Sequence, residues 1–241
     1  MNVIINEKTI RRNAKIGNYL LLAAFALMGV SIYVAWRNQD LTMFSDETKF
    51  WVMFGTLLSG FIAAQVSTFF TNRFGRRPRP DEILVSSLKG LTRDYSLYAY
   101  MSPVNYLLVG PAGVWIIEPY YQRGTISYQK GRWQQKGGGF AVSYGKLFGQ
   151  EGLGRPDLEL KADVDTLTGE FKKSFGEDAP AIHSALVFYD PRAELDVEAA
   201  PVPTMRAKDL KEFLRKYAKE NPCPAAEIKR ITAALPEESI E

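Results

Sequence analysis

The sequence predicts a two-helix transmembrane hairpin followed by a cytoplasmic α/β domain with a central mixed sheet flanked by helices. Three observations predict it. Gly17–Trp36 and Phe50–Asn72 are uncharged and mostly apolar, and each is long enough as a helix to cross the ~30 Å hydrocarbon core. Basic residues flank the pair: residues 1–80 hold 10 Lys/Arg against 4 Asp/Glu, while residues 81–241 hold 20 against 23. From Pro80 onward, short apolar runs alternate with segments of helical periodicity, as in a sheet covered by helices.

Taken in order, residues 1–16 read as a cytoplasmic N-terminal segment, 17–36 as the first span, 37–49 as a short external loop and 50–72 as the second span. Aromatic residues sit at the span ends (Tyr19, Tyr33 and Trp36, then Phe50 and Trp51), as at a membrane interface. Gly55, Ser59 and Gly60 are small enough to let two helices approach closely. Neither span carries an ionisable side chain, which removes the usual sign of a proton or ion route. A cleaved signal peptide is the rival reading for the first span; its apolar run is longer than a signal core, and a second span follows at once. Lys8, Arg11, Arg12 and Lys15 precede the first span, and Arg73, Arg76, Arg77 and Arg79 follow the second. The positive-inside rule then places both termini in the cytoplasm, in an integral protein of the plasma (inner) membrane. Residues 73–80 form a basic juxtamembrane linker whose four arginines suit anionic headgroups.

The domain reads as 81–235, with a frayed tail at 236–241. Asp81 and Glu82 open a helix of about three turns through Leu91. Tyr95–Met101 alternates as a strand. Asn105–Val109 and Val114–Glu118 form two apolar strands around the Gly110-Pro111-Ala112-Gly113 turn. Trp115 and Ile117 are expected on the opposite face from Val114, Ile116 and Glu118. Gly124–Gln135 reads as a hairpin and Lys136–Arg155 as a Gly-rich insertion. Six cations between Arg123 and Arg155 face only Glu151, a solvated face or a phosphate- or lipid-contacting strip. Asp157–Phe175 reads as a helix, Ala181–Tyr189 as a buried strand, Met205–Ala218 as a helix with Thr204 as its cap, and Pro224–Leu235 as a last short helix. His183 has no Cys or Ser partner pattern and reads as a core or interface histidine. Cys223 is the only cysteine, which excludes a disulfide within the chain.

Glu118, at the end of an apolar strand, reads as a solvated strand end or as a charge presented at a sheet edge. A wider set of residues resembles the NERD (nuclease-related domain) family of the restriction-endonuclease-like PD-(D/E)XK group. They are Asp81-Glu82, Asn105-Tyr106, Val109 to Val114, Ile117-Glu118, Gly124-Thr125-Ile126 and Trp133, in a similarity running roughly from Pro80 to Tyr217. The resemblance implies a site formed by Glu82, Asn105, Glu118 and Tyr120. The family pattern expects Asp at Asn105 and Lys at Tyr120, so this site lacks a carboxylate and a cation. A divalent metal held by acidic groups, with a lysine nearby, is the chemistry the pattern serves. The expected function is therefore a membrane-anchored, catalytically inactive binding or scaffolding module without a cofactor, acting on an unknown protein or nucleic-acid partner. The alternative is a Mg²⁺-dependent nuclease on DNA or RNA, with Glu118 and Glu82 as metal ligands and Arg123 or Lys130 in place of the lysine.

Overall fold

The computed structural model describes residues 1–37, 45–137 and 152–240. Most of the Gly-rich stretch and of the expected external loop lies outside them. The chain divides into two units. One holds residues 10–79. The other joins residues 1–9 to the chain from Pro80 onward.

Residues 10–79 hold two long apolar helices. Helix α1 spans Glu7–Trp36 and α2 spans Asp46–Phe70, continued by a π-helical turn over Thr71–Gly75. At ~1.5 Å per residue both exceed ~30 Å. Ser45 caps α2, its hydroxyl accepting from the Thr48 N–H at 3.2 Å. The seam between the helices is narrow and regular. Ile10, Gly17, Ala24 and Ser31 are buried on α1, and Gly60, Ser67 and Phe74 are buried on the other side. Both series step by seven residues, the spacing of left-handed helix pairs. Ser67 Oγ donates to Gly17 O at 2.8 Å, and Ser31 Oγ donates to Met53 O at 3.0 Å. Of the three small residues expected to set the approach, only Gly60 does so. A Cβ there would lie 2.9 Å from Met28 Cγ and 3.2 Å from Ala24 O, whereas nothing lies within 4 Å of a Cβ at Gly55, and Ser59 is exposed. Gly60→Leu is therefore expected to destabilise the pair by about 1–3 kcal/mol, read as a lower SDS midpoint in a denaturant titration. Gly55→Leu should leave that midpoint unchanged.

The second unit is an α/β fold with a mixed sheet. Its strands are β1 (Asn2–Ile5), β2 (Ser96–Ala99), β3 (Tyr106–Gly110), β4 (Gly113–Tyr120), β7 (Ile182–Phe188) and β9 (Thr204–Arg206), in that spatial order. The β2–β3 and β3–β4 pairs are antiparallel; β1–β2, β4–β7 and β7–β9 are parallel. A three-stranded sheet of β6 (Arg132–Lys136), β5 (Gly124–Gln129) and β8 (Ala193–Asp196) stands beside it. The helices are α3 (Pro80–Ser87), α4 (Pro156–Phe175), α5 (Ala207–Glu220) and α6 (Ala225–Ala233).

Strand alternation divides the core as the sequence predicts. Val114, Ile116 and Tyr120 join Leu107, Val109, Leu186 and Phe188 in one cluster, which includes Leu160, Leu167 and Phe171 of α4. Trp115 and Ile117 join Tyr106, Leu108, Ala185 and Val187 in the other, with Leu84 of α3 and Leu210 and Leu214 of α5. Helices thus cover both faces of β4, and both side-chain series are buried. The β3–β4 turn depends on two glycines. Gly113 has φ +86°, and the Tyr95 ring fills the space a Cβ on Gly110 would need.

Several segments depart from expectation. Residues 1–16 are not a plain cytoplasmic lead: Asn2–Ile5 forms the edge strand of the main sheet, paired with Ser96–Ala99. The tail is not frayed, because Ile240 pairs with Asn6. Helix α3 stops at Ser87, where the Ser86 and Ser87 hydroxyls both donate to Ile83 O, and Gly90 turns at φ +94°. Thr204 opens β9 rather than capping a helix, and its hydroxyl donates to Val202 O at 3.0 Å. Arg79 is 9% exposed, unlike Arg76 and Arg77 beside it.

Candidate functional site

The site expected from sequence falls where the main sheet opens. Strand β4 pairs with β7 along Val114–Tyr120 but with β3 only along Gly113–Ile116. Its last four residues are therefore bonded on one side only. Glu118 sits in this half-open stretch, level with Leu186 of β7 and only 5% exposed. Counting the β3–β4 register onward puts Asn105 level with Glu118. Asn105 is half-buried, and its backbone carbonyl accepts from the Tyr100 N–H at 2.8 Å.

Tyr120 lies two residues beyond Glu118 and shares its strand face. Its hydroxyl donates to Glu159 Oε2 of α4 at 2.8 Å. The position where a cation was expected is thus a buried phenol tied to a carboxylate. Gln122 continues the polar series at 4% exposure, its amide reaching Gly152 O at 3.5 Å.

Glu82 and its neighbour differ in burial. Asp81 is 1% exposed and shares the inward face of α3 with Leu84, whereas Glu82 is half-buried, a hundred degrees round the helix. Burial pushes the Tyr106 hydroxyl well above its ordinary pKa, its neighbour Tyr100 adds to the rise, and the carboxylates of Asp81 and Glu118 raise it further. The Tyr100 and Tyr106 hydroxyls share a hydrogen bond, and their rings meet edge to face at 5.1 Å. Tyr100 holds φ +57°, a region that non-glycine residues enter at a cost. The buried Tyr106 hydroxyl thus bonds a strained tyrosine and feels the charges of two carboxylates, from α3 and β4.

The substitute cations stand elsewhere. Arg123 helps hold the Asp190 carboxyl below its ordinary range, after Arg192, whose guanidinium pairs with Asp190 at 2.7 Å. Lys130 occupies the exposed β5–β6 turn at φ +52°. A divalent ion would find Glu118, a neutral amide and a phenol already bonded to Glu159. Among the described residues no three His, Cys, Asp or Glu side chains converge to hold a metal. On strand β4, Glu118 is the one side chain that brings a charge.

His183 is an interface histidine. Its Nε2 lies 3.2 Å from the Tyr217 hydroxyl of α5, and its ring lies 5.0 Å from that of Trp115. Burial lowers its pKa, which favours the neutral ring at this helix–sheet junction.

Three residues of the site escaped sequence reasoning. Asp81 was legible, since it precedes Leu84 and Leu88 by three and seven residues on one helix face. Glu159 and Tyr100 carried no local signal, because their partners are set by tertiary packing.

No family model, no curated protein and no solved structure matches this chain.

Proposed function

We infer that the chain is an integral membrane protein of the plasma (inner) membrane, anchored by the α1–α2 hairpin. Its cytoplasmic α/β unit, a NERD-like module of restriction-endonuclease-like fold, works by binding rather than by cleaving. The observation that carries the anchor is the outward apolar surface of the two helices. Leu22, Phe25, Ile32 and Ile62 are 54–69% exposed, and both helices bury only 11% of their most apolar window. In water such a surface would draw the protein into aggregates; in lipid it is solvated.

The β1–β2 pair supports the hairpin over a cleaved signal. Strand β1 precedes α1, and β2 follows α2, so pairing requires both ends of the hairpin on one side. Cleavage after the first span would remove β1 from the sheet. The inactive reading draws on Asn105 and on the Tyr120–Glu159 bond. The nuclease alternative draws on Asp81 and Glu118, which both act on Tyr106. The partner is a protein, a nucleic acid or the inner membrane surface. Arg73, Arg76 and Arg77 suit anionic headgroups, while the burial of Arg79 takes it from the set expected.

Alkaline washing of membranes tests the anchor. The full chain should stay in the pellet, and release into the supernatant would overturn it.

A further inference from the structure

The segment after α6 returns to β1. The Ile240 N–H donates to Ile5 O at 3.1 Å, and Ile240 O accepts from the Lys8 N–H at 3.3 Å. Ser239 Oγ accepts from the Ile5 N–H at 3.0 Å, and Ile240 forms a parallel bridge with Asn6. The strand's own geometry explains this docking. The Asn2 and Asn6 N–H groups donate to Tyr95 O and Ala99 O on the β2 side. Alternation then turns the backbone groups of Val3 and Ile5 to the outer edge. Residues 239–240 occupy the Ile5 position. Toward Asn2 the tail stands away from the strand and leaves a cleft of about 790 Å³, lined in part by Val3, Tyr98, Lys229, Thr232 and Glu237.

The same residues serve the first turn of α1. Its leading N–H groups have no acceptor within the helix. Asn6 Oδ1 accepts from the Thr9 N–H at 2.9 Å, and Ile240 O accepts from that of Lys8. Only Asn6 separates β1 from α1. The tail therefore clamps the joint through which the main sheet continues into the first long apolar helix.

We propose that residues 236–240 are a releasable strap. Closed, they hold the β1–α1 joint. Open, they free the outer edge of β1 and the first turn of α1 while the rest of the sheet stays paired. Three features make it releasable: a single bridge, an Ile240 side chain 44% exposed, and the cleft behind the tail. Interactions of this kind open locally, without global unfolding.

Amide hydrogen exchange on the full chain in lipid nanodiscs tests it. Ile240→Pro removes the N–H that donates to Ile5 O, and a stop after Leu235 removes the strap. Both should speed exchange at Ile5 and Lys8 about tenfold, the scale of one net hydrogen bond, and leave Leu107, Ile116 and Leu186 unchanged. Ile240→Ala keeps both backbone bonds and should exchange as the unaltered chain does. Unchanged exchange at Ile5 and Lys8 in the first two variants would overturn the strap. So would acceleration spread evenly through the core, or an Ala variant as fast as the Pro variant.

Discussion

Full-length protein supplied with Mg²⁺ or Mn²⁺ is expected to leave both DNA and RNA whole. At the open end of β4, Asn105 contributes no charge, and Tyr120 spends its hydroxyl on Glu159 at 2.8 Å. Loss of one electrostatic stabiliser of a transition state commonly costs roughly 10²–10³ in rate, and loss of a metal ligand adds to it. The geometry also defines the proper reversion. A lysine introduced at position 120 would meet the Glu159 carboxylate and pair with it. Restoring an unengaged cation takes Tyr120→Lys with Glu159→Gln, beside Asn105→Asp. This triple variant should bind Mn²⁺ and cut at least ~10²-fold above the unaltered chain, whereas Asn105→Asp with Tyr120→Lys alone should gain far less. The experiment needs the whole chain, because a fragment starting at Asp81 lacks β1. Cleavage by the unaltered protein that Glu118→Ala abolishes would sink the inactive reading and establish the nuclease.

Impermeant thiol labelling should give an all-or-none pattern. Cys223 is half-buried, and burial raises its pKa, so its silence would say little about sidedness. The reporters belong in a Cys223→Ser background at exposed positions. Ser45→Cys, just before α2, should label in intact cells. Lys219→Cys on α5 and Asn2→Cys on β1 should label only after permeabilisation. The expectation of which side is which rests on the flanking arginines. The β1–β2 register sets that Asn2 and Lys219 share a side. Labelling of Lys219→Cys but not Ser45→Cys in intact cells would reverse the orientation. Asn2→Cys and Lys219→Cys on opposite sides would contradict the strand pairing itself.

The elements legible in the sequence were those long enough to carry a period. The second apolar helix, the β3–β4 pair with its glycine turn, and helix α4 all lie within a few residues of their expected bounds, and the first apolar helix ends at Trp36 as expected but begins ten residues before Gly17. Strand β1 was hidden, because four residues, Asn2–Ile5, cannot be told from the flank of a span when their partner lies beyond two long helices. Strands β8 and β9 are four and three residues long, too short for alternation to register. On β4, strand parity put Val114 and Ile116 on the face opposite Trp115 and Ile117, as the two core clusters have them. The burial of Asp81 follows from the helix face it shares with Leu84. The Tyr120–Glu159 bond joins residues 39 apart, and only the packing of α4 on β4 makes them neighbours.

The edge position of β1 has a consequence for synthesis. Asn2 pairs with Ser96, so the strand is made long before its partner exists. At roughly 5–20 residues per second, β1 waits on the order of 5–20 s while both apolar helices are translated. Over that interval Val3, Ile4 and Ile5 have no sheet to join, and under the membrane reading each helix must insert without drawing them across. If the hairpin inserts, completion of the sheet waits on it, and a chain in which one of the two helices failed to cross would hold β1 and β2 on opposite sides, unpaired. Either orientation of a complete hairpin returns β1 to the side of its partner; a half-inserted one does not.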